Sequence, residues 1–367
     1  MAIASAHHAR SPFGALPHFL PYLLGGLIVL GWHLGEWWTF ITPVFMFGVV
    51  NLADLVLPPN RTAPPSGDAD LPRQEGRLSL FSFSPILWPL MQLGFIAWGL
   101  WLLTYGELSV VEVIGMVLSI GVMAGAIGIT FAHELVHRAR LWERIAGELL
   151  LLPVTYHHFC VEHVHGHHRT VGTPEDPATA RLGESFYAFL PRTLFGGFFS
   201  ALHLEAARLR RRNRLPFGPR NRVVVGALIE AGLYCAAGFG LGWEGAVGLG
   251  AIGFVALFQL EVVNYLEHYG LRRREISPGR YERMTARHSW DDGRRVSGWF
   301  LINLQRHADH HLRPGVRYDE LTLVGDAPRL PAGYAAMFGA VLIPPLWFAV
   351  MNPRVEAERA KEAPLPA

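Results

Sequence analysis

The stretch LQRHADHHLRPG, residues 304–315, places His307, His310 and His311 at spacing i, i+3, i+4. On a helix that spacing stacks all three imidazoles on one face. Three other segments repeat the pattern. HELVH sets His133 and His137 at i, i+4, EHVHGHH supplies His163, His167 and His168, and NYLEHYG carries His268. Nine of the 18 histidines fall into these four clusters. Imidazole nitrogen suits iron, copper and zinc. HExxH alone is a zinc metalloprotease signature, but such an ion takes three protein ligands and a water, which leaves the other clustered histidines without a role. Nine imidazoles exceed one coordination sphere and fit two ions with four or five ligands each.

Carboxylates stand inside the same clusters: Glu134, Glu162, Glu267 and Asp309, with Asn264 one turn before His268. A carboxylate among them could itself ligate a metal; most are expected to accept the second ring N–H of a ligand histidine, which fixes its tautomer and orientation. His165 points away from the His163 face, and His157 and His158 are expected to pack beneath it. His7, His8, His18, His33, His203 and His288 lack a spacing partner, and structural or solvent roles are expected for them.

Elements must bring these clusters together. The chain is 51% hydrophobic with a mean hydropathy of +0.24, and only 17% of it is charged, against roughly 25% in a soluble domain. Six apolar stretches, 17–35, 37–57, 84–104, 108–132, 221–241 and 244–266, are each long enough to span a bilayer, which takes about 20 residues. Short turns join them into three hairpins. Those turns carry Glu36, Glu107 and Glu244 and no arginine. Arginines crowd the other loops: Arg61, Arg73 and Arg77, then the central region with its run RLRRRNR, then Arg272 to Arg329. The positive-inside rule makes those loops and both termini cytoplasmic, and all four histidine clusters then fall on that face, in segments 133–220 and 267–333. The expected fold is therefore an all-α integral membrane protein, one domain over 1–367, with a cytoplasmic helical unit. A nitrogen-rich dinuclear site beside a bilayer favours redox iron over zinc hydrolysis.

Residues 334–351, interrupted by Pro344 and Pro345, are expected to form an interfacial or docked helix pair, and 145–156 is apolar but too short to span. Gly121 and Gly125 form a GxxxG contact in the fourth span. The N-terminus, broken by Pro12 and Pro17, does not read as a signal peptide. A net charge of +2 gives no basis for nucleic-acid binding. Cys160 and Cys235 are too few for an iron–sulfur or rubredoxin-type centre, and no G-x-G-x-x-G fingerprint follows a strand. Electrons must come from a separate donor.

The four motifs, HELVHR, EHVHGHH, NYLEHYG and LQRHADHH, occur in the order found in the membrane-bound non-haem di-iron hydroxylases, and the chain resembles the alkane 1-monooxygenase family among them. The likeness extends over the six-span layout and the tail LPAGYAAMFGAVLIPPLWFAVMNPRV; Arg138 stands where many members have lysine. The resemblance implies two irons held by His133, His137, His163, His167, His168, His268, His307, His310 and His311. It implies O2 as co-substrate, n-alkanes drawn from the bilayer, 1-alkanols as products, and a bacterial inner-membrane location. It also implies electrons from reduced rubredoxin, itself reduced by an NAD(P)H-dependent reductase. The rival readings are methyl hydroxylation of xylene- or cymene-type aromatics and fatty-acyl desaturation. A transporter would place its histidines within the spans, whereas these lie at or beyond the span ends.

Overall fold

The computed structural model describes residues 12–59 and 79–361. Arg61, Arg73 and Arg77, which contribute to the expected orientation, lie outside the described residues, as do His7 and His8. Among the described residues the fold is helical apart from a two-stranded hairpin, Glu275–Ser277 with Arg280–Tyr281. Among the described residues five helical stretches are long and apolar enough to cross a membrane: Phe13–Leu34, Glu36–Val56, Leu80–Tyr105, Val110–Val136 and Arg222–His268. The first four match the expected spans to within a few residues. Ser109 and Glu112 open the fourth with a reciprocal capping box, which satisfies two donors that a helix start otherwise leaves bare.

The last stretch has 47 residues, which would make a straight rod of about 70 Å. Gly242 breaks it with φ 78°, a left-handed value that glycine adopts without strain. The chain doubles back there. A Cβ at Gly250 would lie 3.6 Å from the Tyr234 ring, and one at Gly238 would lie 3.8 Å from Ala246 Cβ. Both pairs are symmetric about residue 242, so the two spans expected at 221–241 and 244–266 are the arms of one hairpin.

The GxxxG glycines of the fourth span lie against the sixth. A Cβ at Gly121 would sit 2.5 Å from Val255 Cβ, and one at Gly125 would sit 2.7 Å from Ala256 Cα. Gln259 Nε2 donates to the Gly121 carbonyl at 3.1 Å across the same contact. This close approach brings together the two helix ends that carry His133 and His268.

The remaining apolar segments cover the histidine-bearing unit. Helix Leu141–Leu151 is held to the third span by Gln92, whose Nε2 donates to the Leu150 carbonyl at 2.9 Å. Residues 334–351 form Tyr334–Val341 and the start of Pro344–Ala360, two helices bent by 119°. Tyr334, Met337, Trp347 and Met351 are buried with Tyr265, Leu266 and Tyr269, so the pair docks on the end of the sixth span.

Candidate metal centre

The nine clustered histidines converge from four elements. The fourth span passes through a π-helical turn, Met123–Ile129, before Thr130–Val136 delivers His133 and, at its end, His137. His163, His167 and His168 lie on the short helical segment after Phe159. His268 ends the sixth span, and His307, His310 and His311 lie on helix His307–Leu312. His133, His137, His163 and His310 form one group; His167, His268, His307 and His311 form a second. Within each, one ring nitrogen per residue lies within 4.8 Å of the others. Opposed ligands at a metal–nitrogen length of about 2.1 Å stand ~4.2 Å apart, so each group has roughly the size of one coordination sphere. His168 adjoins the first group, its Nε2 3.1 Å from His163 Nε2 and 3.0 Å from His310 Nε2. The groups abut: the His133 and His307 rings are 6.1 Å apart between centroids.

Helical spacing misstates the partition in one place. The i, i+4 pair His163 and His167 belongs to two different groups because residues 163–167 form a π-turn. A π-turn closes i→i+5, which brings His168 beside His163 and leaves His167 facing the second group. On the last helix His307 and His311 share a group while His310 crosses to the other.

The donor set fits a metal. His133, His137, His167 and His268 each bury Nε2 without a hydrogen-bond partner, and the Nε2 atoms of His307 and His311 face each other at 3.0 Å. Unpaired buried polar atoms are costly, and a cation among them resolves both features. Burial, and after it the neighbouring imidazoles, hold His163, His307, His310 and His311 well below the usual histidine range. These rings are neutral near pH 7, which is the ligating form.

The opposite ring nitrogens of His167 and His268 have identifiable holders. His167 Nδ1 lies 2.9 Å from the buried Asp176 carboxylate, which also accepts from the Thr179 hydroxyl and the Ala178 amide. Burial opposes charge on His167, but Asp176, with Glu162 and Glu261 behind it, moves the ring's pKa upward. His268 Nδ1–H donates to the His288 carbonyl at 3.1 Å. Glu267 differs: its Oε2 lies 3.2 Å from His307 Nε2, the nitrogen that also faces His311, while its Oε1 accepts from the Tyr334 hydroxyl at 2.7 Å.

The other expected acceptors are engaged elsewhere. Glu134 holds Arg138 and the Tyr318 amide, and Glu162 accepts from Ser200. Asn264 donates to Glu261, and Asp309 is clasped by Arg313 and Thr322. They brace the segments that carry the histidines. Asp176 and the His288 carbonyl are the holders that sequence reasoning missed. Asp176 lies in the loop TPEDPAT, nine residues after His167, where no periodicity marks it.

Of the histidines set aside, His165 is exposed as expected. His157 and Cys160 do not reach the two groups but meet Glu148. Arg222 supplies the cation there, its guanidinium 2.5 Å from Glu148 Oε1 and 3.5 Å from Cys160 Sγ.

A mostly apolar cavity leads from the spans to both groups. Met46, Phe47, Ala126, Leu260, Phe300 and Phe338 line it among others, and His133, His163 and His307 form part of its wall. The two features thus share one space, nitrogen donors at one part and hydrocarbon along the rest.

The family model for fatty acid desaturases matches residues 108–340. Alkane 1-monooxygenase 2 of Pseudomonas aeruginosa is 38% identical over 354 residues, 93% of each chain. The chain belongs to the alkane 1-monooxygenase family. Alkane 1-monooxygenase 1 of the same organism is 39% identical over 89% of this chain and 85% of its own. The xylene/toluene monooxygenase hydroxylase component of Pseudomonas putida is more distant, at 29% over 65% of this chain and 63% of its own. As a member of the alkane 1-monooxygenase family this protein is a membrane-bound, metal-dependent monooxygenase that needs an electron-transfer partner and takes a hydrophobic substrate.

Proposed function

We propose that this protein hydroxylates the terminal methyl of medium- to long-chain n-alkanes, RH + O2 + 2e⁻ + 2H⁺ → ROH + H2O. The observation that carries the reading is the opening of an apolar cavity onto two adjoining four-histidine groups. The ligands would be His133, His137, His163 and His310, with His168 beside them, at one iron, and His167, His268, His307 and His311 at the other. When bound, the two irons supply the redox chemistry that activates O2 toward a C–H bond with no acidic proton and no polar handle.

The chain's own residues do the rest. Asp176 and the His288 carbonyl hold the His167 and His268 rings in the tautomer that aims Nε2 inward. Glu267, fixed by Tyr334, sits beside His307 and the second group. The phenylalanine-rich cavity excludes water and seats a hydrocarbon chain end against His133 and His163, so selectivity comes from position alone. The first four spans and the Gly242 hairpin cross the bacterial inner membrane six times. The arginine-bearing loops and both termini are cytoplasmic by charge bias. Reduced rubredoxin, recharged by an NAD(P)H-dependent reductase, supplies the electrons, since two cysteines cannot build a one-electron centre in this chain.

The test is product analysis with octane, hexadecane and p-xylene, using purified protein, rubredoxin and its reductase, together with iron analysis. Near two equivalents of iron and 1-alkanol as product are expected. Stoichiometric zinc in active protein, full activity in His310→Ala, or turnover of p-xylene alone would refute the assignment. Dehydrogenation of a fatty-acyl chain with no alkane product would move it to the desaturases.

A further inference from the structure

A second pocket shares no lining residue with the apolar cavity. It is polar. Arg272, Arg274, Arg287 and Arg359 border it, the buried His288 lines it, and so do two acids, Glu282 and Glu358, the latter paired with Lys361 at 2.6 Å. The His288 carbonyl is the acceptor of the His268 Nδ1–H bond, so a single residue separates this pocket from the second histidine group. The surrounding segment, 270–288, carries six arginines and two glutamates. Arg272, Arg280 and Arg283 are exposed. Glu282 is engaged by Arg274 at 2.9 Å, and Glu275 by the Gly279 amide at 2.7 Å. Arg287 rests on the carbonyls of Glu358 and Lys361 and not on a carboxylate. The face over His268 is therefore a positive surface with its nearby acids already engaged.

We propose that this arginine face, which the single residue His288 separates from the second histidine group, is the docking site of the electron donor, an acidic one-electron protein carrier. The proposal rests on the hydroxylase reading. Two reduced carriers, docking in turn, each lose one electron; with two protons from solvent these reduce one atom of O2 to water while the other enters the alkane. Positive potential on the hydroxylase steers an acidic partner and fixes its register. The entry is separate from the hydrocarbon cavity, so carrier and substrate do not compete for one opening.

The denser basic run, with Arg210, Arg211, Arg212 and Arg214 exposed, is the natural comparison. Its neighbour Arg208 is paired with Glu205, and no recorded hydrogen bond among the described residues ties the run to a clustered histidine.

The experiment uses the full-length protein in zwitterionic lipid nanodiscs. It compares the parent with Arg272→Glu/Arg283→Glu and with Arg211→Glu/Arg212→Glu, which shifts net charge equally; metal content and thermal unfolding control for folding. The first variant should raise KM for reduced rubredoxin about tenfold or more at low salt, keep kcat at saturating carrier, and converge on the parent at high salt. The second should stay within about twofold. Equal effects of the two variants, or none from the first, overturn the proposal. So does a defect that appears only when anionic lipid is added, which would make the face a lipid-headgroup site. Binding of redox-inert, zinc-substituted rubredoxin is titrated in parallel. If the parent binds it and the first variant does not, docking stands even where alkane turnover fails; if turnover proceeds and binding is unchanged, docking falls while the hydroxylase reading stands.

Discussion

At the scale of single residues, Asp176 and Asp309 make opposite predictions from similar chemistry. Asp176 accepts from the His167 ring and is fully buried with Thr179 and Ala178 around it. Asp309 sits between clustered histidines but gives both oxygens to Arg313 and Thr322. Asp176→Asn should weaken metal retention by about 10- to 100-fold, as loss of a ring-orienting carboxylate does. Asp309→Asn should lower thermal stability and leave retention close to the parent's. Metal content after graded chelator dialysis measures both, and the idea fails if the two variants exchange places. The contrast also marks what the sequence makes legible. Imidazoles at helical spacing announce themselves because one face of a helix is a short-range geometric fact. Which carboxylate holds which ring depends on loops such as 171–185, whose path is set by tertiary contacts. Proximity in sequence therefore pointed to Asp309 and passed over Asp176.

At the scale of elements, the spans were legible because a bilayer-length apolar run is a property of composition. Their assembly was legible only in part. The GxxxG pair predicted a close helix contact but not its partner, which is the sixth span at Val255 and Ala256. The π-turn that sends His163 and His167 to different groups has no local propensity signal; a Cβ at Gly166 within it would lie 3.1 Å from Leu204 Cδ1, a tertiary contact. The Gly121/Gly125 contact fixes how near the helix carrying His133 comes to the one carrying His268. A side chain at Gly125 must displace the Ala256 backbone, so Gly125→Ile should cost about 1–3 kcal/mol through overpacking and reduce bound metal as the groups separate. Gly240→Ile, where nothing lies within 4 Å of the added Cβ position, is the control. Thermal unfolding and metal content of the two variants are the measurements. Equal behaviour would show that the glycine contact does not set the spacing of the centre.

At the scale of the whole molecule, a hydrocarbon-lined cavity reaches the histidines from among the spans, and regiochemistry is what it should control. A secondary C–H bond is weaker than a primary one by roughly 2–3 kcal/mol, and at about 1.4 kcal/mol per tenfold an unconstrained oxidant would favour internal carbons by one to two orders of magnitude. Primary alcohol therefore requires the protein to hold the methyl group nearest the reacting atoms. The apolar cavity has the means, because Phe300 and Leu304 line it together with His133, His163 and His307. Phe300 is nearly fully buried, at 2% exposure, so its ring fills space that a chain would otherwise occupy. With the parent, octane should yield 1-octanol with little 2-octanol. Phe300→Ala leaves every clustered histidine in place and widens the passage, so the 2- and 3-octanol share should rise several-fold and longer chains should be accepted. Gas chromatography of the products decides the matter. A parent that already gives mostly internal alcohols would rule out end-on seating even with both metals bound. An unchanged product ratio in Phe300→Ala would place the constraint elsewhere along the cavity.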